Sequence, residues 1–449
     1  MIQALRQRWG APGLRRGFTL VELMIAMALV GMITLLIYGL FVRTSDALTD
    51  VEGMSTALEQ ARFGIDHVRV DLQSAGSQMS PNPVADPWFQ PNDGNITAHA
   101  VMGYDDWQDE DLYTGDIAQL GVDNPQSQFS GVVLLGAYDV PASFMVSFPG
   151  ADMGVAFDHD DVMVIESTES GMRRLMGYDP FDVAVHDGVD VPTALHSTMQ
   201  DRAEESLLRV TDLNGYSQVT PITEARLFDR VGGAIGGGAG MPVGADGWEM
   251  DLTLQNLHFA EGDEPAGFDR WVEDDVRFDA ALIDAYWYHV RPAIDDATNF
   301  QLVRQRLDAG DLVNDVSNLN RTTLNGLAVG PPMVISDYVV DFRVWFDCIP
   351  MSGNDWQETW NPDTGDCIGE NPASSNPEFA RFAHARLSTR TPRENSNRPH
   401  FTVVDDWEGF EVEDGLMRTY NVTAAGGSAG VVTVQTGAEL TNFSMRNIN

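Results

Sequence analysis

A run of 25 residues, Phe18 to Val42, carries a single charged side chain, Glu22. No other stretch restricts the chain as much. Coiled as a helix rising ~1.5 Å per residue, it exceeds the ~30 Å hydrocarbon core of a bilayer. Arg6, Arg8, Arg15 and Arg16 precede it, and no acid does. A basic flank of this kind stays cytoplasmic, which puts the bulk of the chain on the far side. An ordinary secretory signal places its small-residue cleavage site after the apolar region. Here the small residue, Gly17, comes before it. A cut at Gly17 would leave the hydrophobic helix on the mature protein. The acid is the anomaly. A carboxylate at mid-bilayer costs roughly 2.5–3.5 kcal/mol or more. Near a helix end it reaches the interface, but among packed helices it needs a cationic partner.

The stretch RGFTLVELMIAMALVG (16–31) closely resembles the prepilin leader of type IV pilins and type II secretion pseudopilins. That pattern is a glycine, then phenylalanine, then an apolar run with glutamate in fifth place. Gly17, Phe18 and Glu22 match it residue for residue. The resemblance implies that residues 1–17 are a leader removed by a prepilin peptidase between Gly17 and Phe18. It also implies N-methylation of Phe18. The partner for Glu22 would be the new α-amino group of Phe18 on an adjacent subunit, a pairing that can set the register of an apolar assembly. Gly31 and Gly39 weaken the helix by about 1 kcal/mol each relative to Ala and permit close packing.

Beyond the membrane-grade run, residues 18–42, an amphipathic pattern continues the helix over 43–76. Leu48, Val51, Met54, Leu58, Ala61, Ile65, Val68 and Leu72 recur at three- and four-residue spacing. SAGSQMSPNP then ends it with glycine and two prolines. From there to residue 449 the signals are strands and long loops. Strands are expected at 131–138, 143–148, 161–167, 206–213, 250–257, 284–290, 299–307, 338–346, 430–436 and 440–448. The stretch 378–392 reads as either a short helix or a strand. The fold class is therefore α+β, a long amino-terminal helix packed on an antiparallel, sheet-rich head. The helix end at 61–76 and the ordered series from residue 284 onward resemble PilW-type minor pilins and the J pseudopilin of type II secretion. Residues 80–280 fall outside this resemblance and are a candidate insertion within the head.

The formal net charge is −40, and because the leader holds four arginines and no acid, residues 18–449 carry −44. Such a surface repels nucleic acid and anionic headgroups. Two cysteines, Cys348 and Cys367, lie close in sequence. An exported chain with one such pair would hold them as a disulfide, and no second pair or intervening His suggests zinc.

Catalytic patterns fail on inspection. GGSAG (426–430) has the G-x-S-x-G form around Ser428. The next residues, VVTVQTG, read as a strand, and no His or Asp comes after them. GGAIGGGAG (232–240) lacks the third glycine of a dinucleotide loop. The acidic stretches 105–111, 158–161 and 361–366 hold enough oxygens to interest calcium, yet none matches an EF-hand loop. No cofactor is expected, with calcium the runner-up to plain solvated loops.

The expectation is a non-enzymatic minor pilin, PilW-like, in the initiating or tip complex of a type IV pilus. Before assembly it would sit in the inner membrane with its head in the periplasm, and afterwards in the filament at the cell surface. Its partners would be the prepilin peptidase, the major pilin, other minor pilins, the inner-membrane assembly platform and a tip adhesin. The alternatives are a J-type pseudopilin and an adhesive module on a pilin stalk. Size favours the tip. Residues 76–449 number 374, and a compact domain of that length is roughly 50 Å wide, whereas packed helices sit ~8–10 Å apart.

Overall fold

The computed structural model describes residues 19–79, 100–105, 129–139, 143–147, 162–168, 199–211, 217–229, 247–254, 277–296, 299–314, 321–348, 357–358, 360–361, 366–367, 380–392, 419–421 and 428–440. Gly17 and Phe18, the glycine-rich 232–240 stretch, the acidic 158–161 stretch and residues 441–448 of the last expected strand lie outside them. The chain divides into two compact units, Met1–Ser55 and Thr56–Asn449.

One helix of 55 residues runs from Leu20 to Ser74, close to the expected span. In its first half the apolar side chains from Leu20 to Phe41 are exposed. The segment is long and apolar enough to cross a membrane. The Thr34 hydroxyl within it donates to the Val30 carbonyl at 2.8 Å and so is satisfied by the helix itself.

In the second unit the helix lays Ala57, Ala61, Ile65, Val68 and Leu72, all buried, on the head. The buried stripe starts at Ala57. Leu48 and Val51, part of the same sequence pattern, are exposed. Small residues let the backbone come close. Thr389 Oγ1 donates to the Ala57 carbonyl at 2.7 Å. A Cβ on Gly64 would lie 2.6 Å from Leu387 Cδ2 and 3.2 Å from Ser336 Cβ. Gly64→Leu puts four carbons where there is room for none. It is expected to cost at least ~2–3 kcal/mol through overpacking, read as a lower urea midpoint of the head. The helix ends in a turn with positive φ at Gly76 and Gln78. Gly76 N–H donates to the Leu135 carbonyl at 2.8 Å, tying the turn to the neighbouring strand.

That strand, β2 (Ser130–Gly136), belongs to an antiparallel sheet ordered β1-β2-β8-β9-β10. Its other members are β1 (Val101–Asp105), β8 (Arg277–Pro292), β9 (Phe300–Leu307) and β10 (Ala328–Ser336). A second antiparallel sheet runs β12-β11-β15-β17-β16. It comprises β11 (Val339–Cys348), β12 (Gln357–Glu358), β15 (Ala380–Arg390), β16 (Thr419–Asn421) and β17 (Ser428–Glu439). The ambiguous 378–392 stretch is thus a strand, β15. Ile65, Val68 and Leu72 of the helix form one core with Val133 and Trp287 of the first sheet and Phe342 and Leu387 of the second.

The third feature has no counterpart in the sequence pattern. Strand β8 is 16 residues long, and it changes partners on both edges midway. Residues 284–292 pair with β2 and β9. Residues 277–283 pair with β3 (Phe144–Ser147) on one edge and β5 (Leu207–Thr211) on the other. The circuit β8-β3-β4-β7-β6-β5 returns to β8, with β4 (Val162–Thr168), β6 (Ser217–Asp229) and β7 (Gly247–Leu254) completing it. This is a closed antiparallel barrel of six strands, a form that removes exposed strand edges. Alternate residues Leu208, Val210, Met250, Leu252, Ala280 and Leu282 are buried and fill it apart from the main core. The barrel strands come from residues 144–283 and the first-sheet strands β1 and β2 from residues 101–136, so both halves of the unassigned 80–280 region build on β8.

Candidate functional site

Thr19 stands just outside the helix and Glu22 is its third residue, and their bonds are reciprocal. Glu22 N–H donates to Thr19 Oγ1 at 3.2 Å. Thr19 N–H and Oγ1–H donate to Glu22 Oε2 at 2.9 and 3.0 Å. Leu23 N–H to the Thr19 carbonyl, at 3.2 Å, opens the helical ladder. This is a capping box, in which each side chain satisfies a backbone donor that the helix start leaves orphaned. The T-x-x-E spacing that announces it, Thr19 to Glu22, is legible in the sequence but is masked there by the prepilin pattern that shares the same glutamate. So Glu22 has a structural task within its own chain besides the one the resemblance implies. Both Thr19 bonds land on one carboxylate oxygen, and among the described residues no cation pairs with it.

A second polar group marks where the helix is seated on the head. Asp71 lies on the buried helix face with Val68 and Leu72. Its Oδ2 accepts from Arg304 Nε at 2.8 Å and from the Tyr288 hydroxyl at 2.6 Å. His67 Nδ1 meets the same Tyr288 hydroxyl at 2.7 Å, and Tyr138 donates to the Asp71 carbonyl at 3.2 Å. The Arg304 guanidinium lies 3.4 Å above the Tyr286 ring, a cation–π stack. Tyr286 OH continues the chain to Asp139 Oδ1 at 2.7 Å. Asp139 Oδ2 accepts from Arg202 at 2.8 Å. Arg202 also pairs with Asp284 and donates to Ser206 Oγ at 2.7 Å. Asp284 sits where β8 leaves the barrel and enters the sheet, so helix, sheet and barrel meet in one network that is largely buried and reaches the surface at Asp139. Burial works against the Arg304 cation, and the Asp71 carboxylate beside it more than reverses this, so its pKa is raised. Burial also raises the Tyr286 and Tyr288 hydroxyls, with Asp139 and Asp71 adding to the effect, which keeps both as neutral donors. The clue in the sequence is an acid, Asp71, on the apolar stripe.

The remaining candidates are scattered. Cys348 ends β11, and Cys367 lies in β14 (Asp366–Cys367), paired with Trp360 in β13 (Trp360–Asn361). Strands β13 and β14 pack beside β11. Ser428 begins strand β17 directly, so the strand–turn–helix geometry of a nucleophile elbow is absent there. Among the described residues no group of three or more His, Cys, Asp or Glu side chains is arranged to hold a metal.

Comparison with known families matches residues 14–38 to the prokaryotic N-terminal methylation motif. The matched segment contains Gly17, Phe18, Thr19 and Glu22. No curated protein and no solved structure matches the chain.

Proposed function

We propose that this chain is a minor pilin, PilW-like, that enters a type IV pilus at its initiating or tip complex. The methylation motif at residues 14–38, set on a helix capped at Thr19, is the observation that carries this reading. Prepilin peptidase cuts between Gly17 and Phe18, and Phe18 is methylated. The protein waits in the inner membrane with its head in the periplasm. The assembly platform then draws it into the filament beside the major pilin and other minor pilins. There Glu22 pairs with the Phe18 amine of a neighbour. The role is structural rather than enzymatic. A large head and a charge of −44 beyond residue 17 favour the open end of a filament over its shaft, where copies would crowd and repel. Cys348 and Cys367 form a disulfide after export, a pairing supported by the packing of β14 beside β11. A J-type pseudopilin is the second reading. The closed barrel supports a third, in which the head carries an adhesive module toward a surface or a tip adhesin.

Mass spectrometry of sheared filaments tests this. The expected mature chain starts at Phe18, with one methyl added and two hydrogens lost at the cysteines, at a copy number far below the major pilin. An intact leader, a cut elsewhere, or shaft-like abundance overturns the reading. Glu22→Gln separates the two tasks of that residue. Glutamine serves equally in a capping box, so processing and membrane insertion persist. The amine of the neighbour is left unpaired, at ~3–5 kcal/mol for a buried charge, and incorporation falls by more than ~10-fold.

A further inference from the structure

We infer that His67 makes the seat of the helix acid-sensitive: when its ring takes up a proton, the last turns of the helix loosen on the sheet. The hydrogen bonds fix where that proton goes. The Tyr288 hydroxyl directs its hydrogen to Asp71 Oδ2. Its oxygen therefore accepts from His67, and Nδ1 is the protonated nitrogen of the neutral ring. The basic site is Nε2. A second proton there leaves the bond to Tyr288 intact but creates a cation in a seat whose charges already balance, because among the described residues the one carboxylate facing the ring, Asp71, is engaged by Arg304 at 2.8 Å.

Among the described residues the groups that face His67 are few. Tyr288 comes from β8, with the two rings edge to face at 6.1 Å. Arg304 comes from β9. The helix itself supplies Asp71 and the edge of Phe63, at 6.3 Å. Asp66 and Arg69, the next charged residues on the helix, pair with each other at the surface. Burial pushes the imidazole below its ordinary range, Asp71 opposes this and Arg304 adds to it. A base whose pKa is lowered by folding contributes stability that is complete above its unfolded value, ~6.5, and is lost as pH falls below it. The seat is thus tight at neutral pH and weakens in acid.

Hydrogen exchange of the full chain in detergent micelles, followed over amides 60–74, tests this. Protection corrected for intrinsic exchange should fall roughly three- to tenfold between pH 7.5 and 5.5, by local opening. In His67→Gln, whose amide still donates to Tyr288 but does not titrate, it should stay level. The head holds another acid-labile group, His289, fully enclosed, whose pKa burial lowers to about 3. A fall of equal size in His67→Gln assigns the effect to such groups and overturns the inference. So does a wild-type profile that is flat with pH. The ring can also be watched in the unaltered protein. A His67 proton resonance that titrates at or above ~6.5 overturns the inference without any substitution.

Discussion

A soluble fragment that begins at Thr56 is expected to fold, and one that begins at Ala75 is expected not to. The boundary of the second compact unit lies at residue 56, so the first fragment keeps every buried residue of the helix, from Ala57 to Leu72. The second loses Ile65, Val68 and Leu72 from the middle of the main core. Burial of side chains this size stabilises by about 1.5–3 kcal/mol each. It also loses Asp71 and strands Arg304 and Tyr288 in the interior, and one buried charge without its partner costs ~3–5 kcal/mol. Together the loss is roughly 8–14 kcal/mol, against a total stability of ~5–15 kcal/mol for a native domain. Thermal melting followed by near-ultraviolet circular dichroism distinguishes the two. A cooperative melt from the shorter fragment would show that the sheets stand without the helix.

The ion pair of the second sheet gives the other large effect. Asp341 accepts from Arg386 Nε at 2.7 Å and Nη2 at 2.9 Å, and both side chains are under a tenth exposed. Asp341→Leu leaves the guanidinium buried without that carboxylate and is expected to cost ~3–5 kcal/mol. Adding Arg386→Met should restore most of the loss, since apolar residues often replace a buried pair at little net cost. Urea midpoints of the wild type, the single and the double variant measure this. A double variant no better than the single would locate the cost in shape rather than in charge.

What the sequence disclosed depended on how local the signal was. The helix is legible to within a residue or two at each end, because its periodicity and the SAGSQMSPNP break are local. Strands with β-branched or aromatic runs, such as GVVLLGAY and YVVDFRVWF, are legible for the same reason. Strand β10 escapes such reading because AVGPPMVIS holds Gly330 and two prolines, which ordinarily argue against a strand. The structure accommodates them with a positive φ at Gly330 and a break in register between Val329 and Met333 on the pairing with β9. Strand β6 escapes it because its second half, TEARLFD, mixes charge with apolar residues at no clean period of two. The barrel is beyond reach altogether. Its closure rests on β8 meeting β3 and β5, pairings between residues far apart in the chain, such as Phe144 with Ala280 and Leu207 with Ile283. The partners of Asp71 are hidden in the same way, since Tyr288 and Arg304 are 217 and 233 positions distant.

The continuity of β8 has a mechanical consequence. One unbroken strand enters the barrel at Arg277 and leaves the sheet at Pro292. No hinge interrupts it, so the barrel cannot swivel on the sheet without tearing a ladder. A tug on the barrel along that strand loads the hydrogen bonds to β2 and β9 in shear, many at once, instead of unzipping them singly. A head built this way would transmit tension to the sheet beneath it as a stiff rod does, with little stretch of its own.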